Sequence, residues 1–125
     1  PGDFITEITD EYYGLVESEV FDLKKGEQLM QAGQFNDAMT VFNGLRQSKV
    51  RQIRVRAQFN IGEILFEQNE FDLAMQAYED IIQNQAFSGV VLKTLGRLIA
   101  CASKLSLKDK QDQYYSILHD FFESA

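Results

Sequence analysis

The chain has 125 residues, 45% of them hydrophobic, with one proline, one cysteine and a formal net charge of −7. That length suits a single domain with a real core, the lone Cys101 excludes an internal disulfide, and the acidic balance argues against nucleic-acid binding. No apolar run approaches the roughly 18 residues of a membrane span, so no membrane insertion is expected. With no secretory signal visible and a start at Pro1 without Met, the chain reads as an excised fragment of a cytoplasmic protein.

A long body without internal proline and with few β-branched runs favours helix throughout. Residues 1–19 read as an N-terminal extension, partly helical. Ile5, Ile8, Tyr12, Leu15 or Val16, Val20 and Leu23 keep helical spacing. The pattern fits one long helix or a separate short one, starting near Thr9, with Gly14 a weak point worth about 1 kcal/mol relative to alanine. Residues 20–125 read as one helical-repeat domain, with helices predicted near 20–32, 36–47, 51–68, 71–84, 89–103 and 108–123.

The strongest signal is a repeat. Gly26–Gln47 aligns with Gly62–Gln83 at a constant offset of 36, which matches Gly26 with Gly62, Glu27 with Glu63, Phe35 with Phe71, Ala38 with Ala74 and Phe42 with Tyr78. A fixed offset in this range marks a stacked repeat. Within one unit, Phe59, Gly62, Leu65 and Phe66 form one helical stripe. A polar break at Asn69 follows, a residue that tolerates a left-handed cap. Ala74, Ala77, Tyr78, Ile81 and Ile82 then form a second stripe. Two helices joined by so short a break must fold back antiparallel, and Gly62 and Ala74 are the small residues expected where they approach. Phe71 is expected to plug the base of the hairpin.

These residues resemble the tetratricopeptide repeat (TPR) family, which has a small residue in helix A, a turn followed by an aromatic, an alanine early in helix B and an aromatic one turn later. Gly26, Gly33, Phe35, Ala38 and Phe42 carry the pattern once, and Gly62, Asn69, Phe71, Ala74 and Tyr78 carry it again. A degenerate third copy takes Leu92, Leu95, Gly96 and Ile99 as helix A, with Gly96 falling 34 residues after Gly62, and 108–123 as a helix B without the alanine. The family often has tryptophan opening helix A, where this chain has Asp22, Gln58 and Leu92, and proline closing helix B, where it has Val50 and Ala86. The resemblance implies an all-α fold, a right-handed superhelical solenoid of about three antiparallel hairpins.

No catalytic constellation is legible: there is no phosphate-cradling glycine loop, paired-histidine zinc motif or serine elbow. No catalytic residue, metal site or cofactor is therefore expected. His119 reads as a surface residue and Cys101 as a small core or groove residue. Tyr114, Tyr115, Phe121 and Phe122 read as terminal packing, or else as an exposed patch. Residues 46–56 hold five cations and no acid, Arg46, Lys49, Arg51, Arg54 and Arg56, while the rest of the chain is strongly acidic. This basic strip is either a solvated helix start, paired with the acidic stretch Asp10, Glu11, Glu17, Glu19 and Asp22, or a docking surface.

The resemblance implies a protein–protein interaction module, a scaffold or adaptor taking a peptide or helix of a partner protein on a concave face. By resemblance that face includes Leu23, Glu27, Arg56, Phe59, Asn60, Glu63, Phe66, Lys93 and Arg97. Alanine at Asn60 or Glu63 is expected to weaken binding with little effect on stability. Some members of the family clamp a C-terminal carboxylate, but only Asn60 matches that set. Leu23, Glu27, Val90 and Thr94 stand where basic residues or an asparagine are needed, so that function is not expected. The alternative is a self-assembling unit that forms homo-oligomers through its array ends and charged surfaces.

Overall fold

The computed structural model describes residues 2–85 and 88–124, and the side chains of residues 13–84 and 89–123. Every element among them is helical. The helices are α1 (Gly2–Gln31), α2 (Phe35–Leu45), α3 (Arg51–Glu67), α4 (Phe71–Asp80), which continues as a π-helical turn over Ile81–Gln85, α5 (Ser88–Lys104) and α6 (Lys108–Ser124). Five of the six match the predicted spans to within a few residues. The exception is α1, one helix of 30 residues that begins well before Thr9 and runs through Gly14 without a break. The side chains of Ile5, Ile8, Asp10, Glu11 and Tyr12, and all of Ala86, lie outside the described residues.

Three turns have the same construction. Gly33, Asn69 and Ser106 adopt left-handed backbone with φ of 79°, 62° and 57°. In each, the N–H of the left-handed residue donates to a carbonyl three residues back, and the next N–H donates to a carbonyl five back: Gly33 to Met30 and Gln34 to Leu29, Asn69 to Phe66 and Glu70 to Leu65, Ser106 to Ser103 and Leu107 to Ala102. This is the Schellman arrangement, which satisfies helix-end carbonyls otherwise left without donors. The residue after the left-handed one then accepts the first bond of the next helix, from Ala38, Ala74 and Gln111 respectively.

The turns set the register of the third hairpin. From Asn69 to Ser106 the interval is 37 residues, not 34. Counting back from the turns, Gly26 and Gly62 correspond to Ile99, so the expected match of Gly96 with Gly62 is three residues out. The packing agrees. A Cβ on Gly26 would lie 2.7 Å from the Phe42 ring and one on Gly62 would lie 2.5 Å from the Tyr78 ring, whereas one on Gly96 would meet nothing within 4 Å. The small residue of helix A therefore admits an aromatic ring from helix B, rather than facing Ala74 as expected. Ile99 offers no such slot, and the corresponding ring, Tyr115, is 52% exposed while its neighbour Tyr114 is buried.

The chain folds as two compact units, Pro1–Ala57 and Gln58–Ala125. In the first, α1 packs along α2, and Leu23, Ala38, Phe42, Leu45, Val50, Ile53 and Val55 are buried. In the second, α3 meets α4 through the tilted Phe59–Tyr78 and edge-on Phe66–Phe71 ring pairs. There α4 packs on α5 and α5 on α6, with Ile64, Ala74, Tyr78, Ile81, Leu95, Leu98 and Cys101 buried.

Candidate functional site

In the second unit, Phe59, Asn60, Glu63 and Phe66 ride on α3, and Lys93 and Arg97 on α5. Helical spacing puts each set on neighbouring turns of its own helix. The two sets converge on Glu63. Arg97 grips its carboxylate as a fork, Nε to Oε1 at 2.7 Å and Nη2 to Oε2 at 2.9 Å, and the buried Tyr78 hydroxyl donates to the same Oε1 at 2.5 Å. Charge-assisted, bidentate bonds of this kind are short and directional. They contribute to two shifts. Burial, followed by the Glu63 hydrogen bond and charge, pushes the Tyr78 phenol far above its ordinary range. The guanidinium's own hydrogen bond to Glu63 raises Arg97, against a smaller opposing effect of burial.

Each α5 cation also lies over an aromatic ring: Lys93 Nζ is 4.9 Å from the Phe59 centroid, Arg97 Cζ 5.2 Å from Phe66 and Lys104 Nζ 5.9 Å from Phe71. The flexible heads are held against apolar rings, and the rings are shielded from water. α5 carries these three cations and no acidic residue, in a chain of net charge −7.

The expected lining residues thus divide into two groups. Phe59 and Asn60 are buried, and Asn60 is no surface group. Removing the Glu63 carboxylate would strip the buried Tyr78 hydroxyl of its acceptor, at about 1–3 kcal/mol. Alanine at Asn60 or Glu63 is therefore a change to the folded core, contrary to the expectation that stability would be spared. Phe66 is half-buried, and Lys93 and Arg97 face solvent.

In the first unit, Leu23 is buried, which corrects its placement as a surface contact. Glu27 receives an arginine fork of its own, from Arg56, with Nε to Oε2 at 3.0 Å and Nη2 to Oε1 at 3.2 Å. The basic strip is partly engaged within the molecule. Arg54 donates to the Ser48 carbonyl at 2.8 Å, and the Ser48 hydroxyl in turn donates to Glu19 Oε1 at 2.8 Å and caps the Val50 N–H at 3.0 Å. Arg46, Lys49 and Arg51 are exposed. Of the acidic stretch, Glu19 reaches this corner through Ser48, and among the described residues Arg56 of the strip pairs with Glu27.

The residues offered as chemically notable take structural places. Cys101 is fully buried, and burial pushes its thiol up to about 11, which disfavours the thiolate a nucleophile needs. His119 is exposed beside Asp120 and Glu123. The Tyr114 hydroxyl is buried and makes no hydrogen bond among the described residues; burial and the nearby Glu79 carboxylate raise its pKa. Of the remaining terminal aromatics, Tyr115 and Phe122 are exposed. Sequence reasoning missed Tyr78 as the residue that fixes Glu63, and Ser106 as the third turn. The first was legible as the aromatic four residues after Ala74, but its hydrogen bond was not.

Hairpins closed by one repeated left-handed turn, and helix A glutamates each held by an arginine fork, define a helical-repeat protein. Residues 56–88 match the family model described as tetratricopeptide repeat. The chain is similar to the crystal structure of the TPR domain of Arabidopsis FLU, with a TM-score of 0.73 and 20% sequence identity over 89% of this chain and 99% of that one. No curated protein matches the chain. The matched repeat and the shared fold support a tetratricopeptide-repeat assignment, and the all-helical fold is that of a TPR domain. No helix among the described residues is long and apolar enough to cross a membrane.

Proposed function

We propose that this protein is a protein–protein interaction module that holds a segment of a partner protein against the α3–α5 face of residues 58–125. The observation that carries this reading is the construction of that face. Glu63 is fixed by Arg97 and Tyr78, and Lys93 and Arg97 are laid over rings, so charged and apolar groups stand in set positions before any partner arrives. Preorganisation of this kind lowers the ordering cost of association. Helical repeats characteristically offer such extended surfaces rather than enclosed pockets. Leu23, Phe59 and Asn60 support the helices from within, and no reaction is assigned to the chain. The test is affinity capture of a partner by the 125-residue protein, compared with the double variant Leu92→Ala, Lys93→Ala. Both residues are exposed, so the melting temperature should hold while capture falls. Undiminished capture by the double variant would remove the α3–α5 face from the reading.

A second reading, self-assembly, is favoured by the exposed rings of Tyr13 and Phe21 on α1 and Tyr115 and Phe122 on α6. Sedimentation over a range of protein concentrations decides it, since a self-assembling unit gains mass with concentration. Loss of that gain at high salt would assign the contact to Arg46, Lys49 and Arg51, because salt screens exposed pairs and spares apolar ones.

A further inference from the structure

The turn-based register exposes a difference between α5 and the two preceding helix A segments. Ten residues before each left-handed turn stand Leu23, Phe59 and Gly96, and six before each stand Glu27, Glu63 and Ala100. In the first two helices these positions supply a buried apolar plug, and a carboxylate that receives an arginine fork. In α5 both are missing. Gly96 leaves a shallow depression of about 390 Å³ lined by Leu92, Lys93, Gly96 and Arg97, and a Cβ there would meet nothing within 4 Å. What α5 keeps is cationic. Arg97 is neutralised by Glu63 and also feels Glu67, and Lys93 has no carboxylate partner among the described residues. The α5 surface is thus the complement of its sister surfaces, lacking the two groups they provide.

We infer that this depression takes an acidic peptide segment bearing one Leu- or Phe-like side chain, with the apolar group filling the space over Gly96 and flanking carboxylates meeting Lys93. The inference rests on the proposed reading of the α3–α5 face and specifies the chemistry of its partner. Two observations choose the occupant. The missing side chain is one that the sister helices fill with Leu or Phe. The one rim cation without a carboxylate partner among the described residues is Lys93, on a chain that is otherwise strongly acidic.

The probes are fluorescein-labelled oligoglutamate peptides with a central phenylalanine or a central alanine, and an oligolysine peptide with a central phenylalanine, titrated by fluorescence anisotropy into the 125-residue protein. The acidic phenylalanine peptide should bind roughly tenfold more tightly than its alanine counterpart, as burial of one ring allows. Gly96→Leu fills the depression from within and should weaken the phenylalanine peptide roughly tenfold, with the melting temperature unchanged or raised because leucine is the better helix former. Lys93→Glu should weaken it several-fold, by a margin that shrinks with added salt. Equal binding of the phenylalanine and alanine peptides, or indifference to both substitutions, overturns the inference. Preference for the oligolysine peptide, lost in the Leu92→Ala, Lys93→Ala variant, overturns the partner chemistry and leaves the interaction face standing. Failure to bind any peptide, with mass rising with concentration and Gly96→Leu abolishing the rise, also overturns it, and makes a second copy the occupant.

Discussion

At the scale of single residues, two glycines of similar sequence context do opposite work. Gly62 lies beneath the Tyr78 ring, where a Cβ would stand only 2.5 Å from it, while a Cβ on Gly96 would have open space. Gly62→Ala forces the ring aside and disturbs its bond to Glu63, so it should destabilise by about 1–3 kcal/mol. Gly96→Ala has no clash to absorb and gains helix propensity, so it should stabilise by about 0.5–1 kcal/mol. Urea denaturation of the two variants beside the parent checks both signs, and a shared sign would contradict the register given by the turns. That Gly62 marks a close helix approach was legible from its recurrence at Gly26, although the group it admits is the Tyr78 ring and not Ala74. The role of Gly96 was misread, because glycine spacing alone does not reveal which helix face a neighbour covers.

At the scale of elements, the hairpin turns are the most regular feature of the chain and were only partly visible in its sequence. Gly33 and Asn69 announced themselves, since glycine and asparagine are the residues that tolerate left-handed backbone. Ser106 gave no such signal, yet it has φ of 57° and the same pair of backbone bonds. A serine held there carries a strain of about 1–2 kcal/mol that glycine would not, offset in part by the extra entropy glycine loses on folding. Ser106→Gly should therefore raise stability by about 0.5–1 kcal/mol, and Asn69→Gly by less. Thermal unfolding followed by circular dichroism measures the difference. A fall on Ser106→Gly would mean that the serine side chain contributes something beyond the turn. The continuity of α1 through Gly14 has a plain cause: with a Cβ there meeting nothing within 4 Å, the glycine costs only its propensity, which a 30-residue helix tolerates.

At the scale of the whole molecule, the buried acids decide how stability responds to pH. Tyr78, Tyr114 and Cys101 all have raised pKa values in the fold, with burial the leading cause in each. A raised folded value means that the folded state holds its proton where the unfolded chain has released it. Stability from these groups is whole below the ordinary thiol and phenol values, about 8.5 and 10, and is lost as pH climbs past them. Urea midpoints should hold near neutral pH and then fall above about pH 9, first through Cys101 and then through the tyrosines. Cys101→Ala should remove the earlier part of that fall. A midpoint that stays level to about pH 11 would contradict the burial of all three groups. The sequence by itself determined the helices, the antiparallel hairpins and the repeat, because helical periodicity and a constant offset of 36 are local properties of the chain. Only the tertiary structure decided which face each helix turns to its neighbours. The third hairpin closes at 37 residues, which puts Ile99 where Gly26 and Gly62 stand, buries Tyr114 in place of Tyr115 and leaves Gly96 open. The arginine forks on Glu27 and Glu63 belong to the same level. Their partners lie 29 and 34 residues away, and no single spacing within a repeat encodes which cation of the following helix reaches back to a carboxylate.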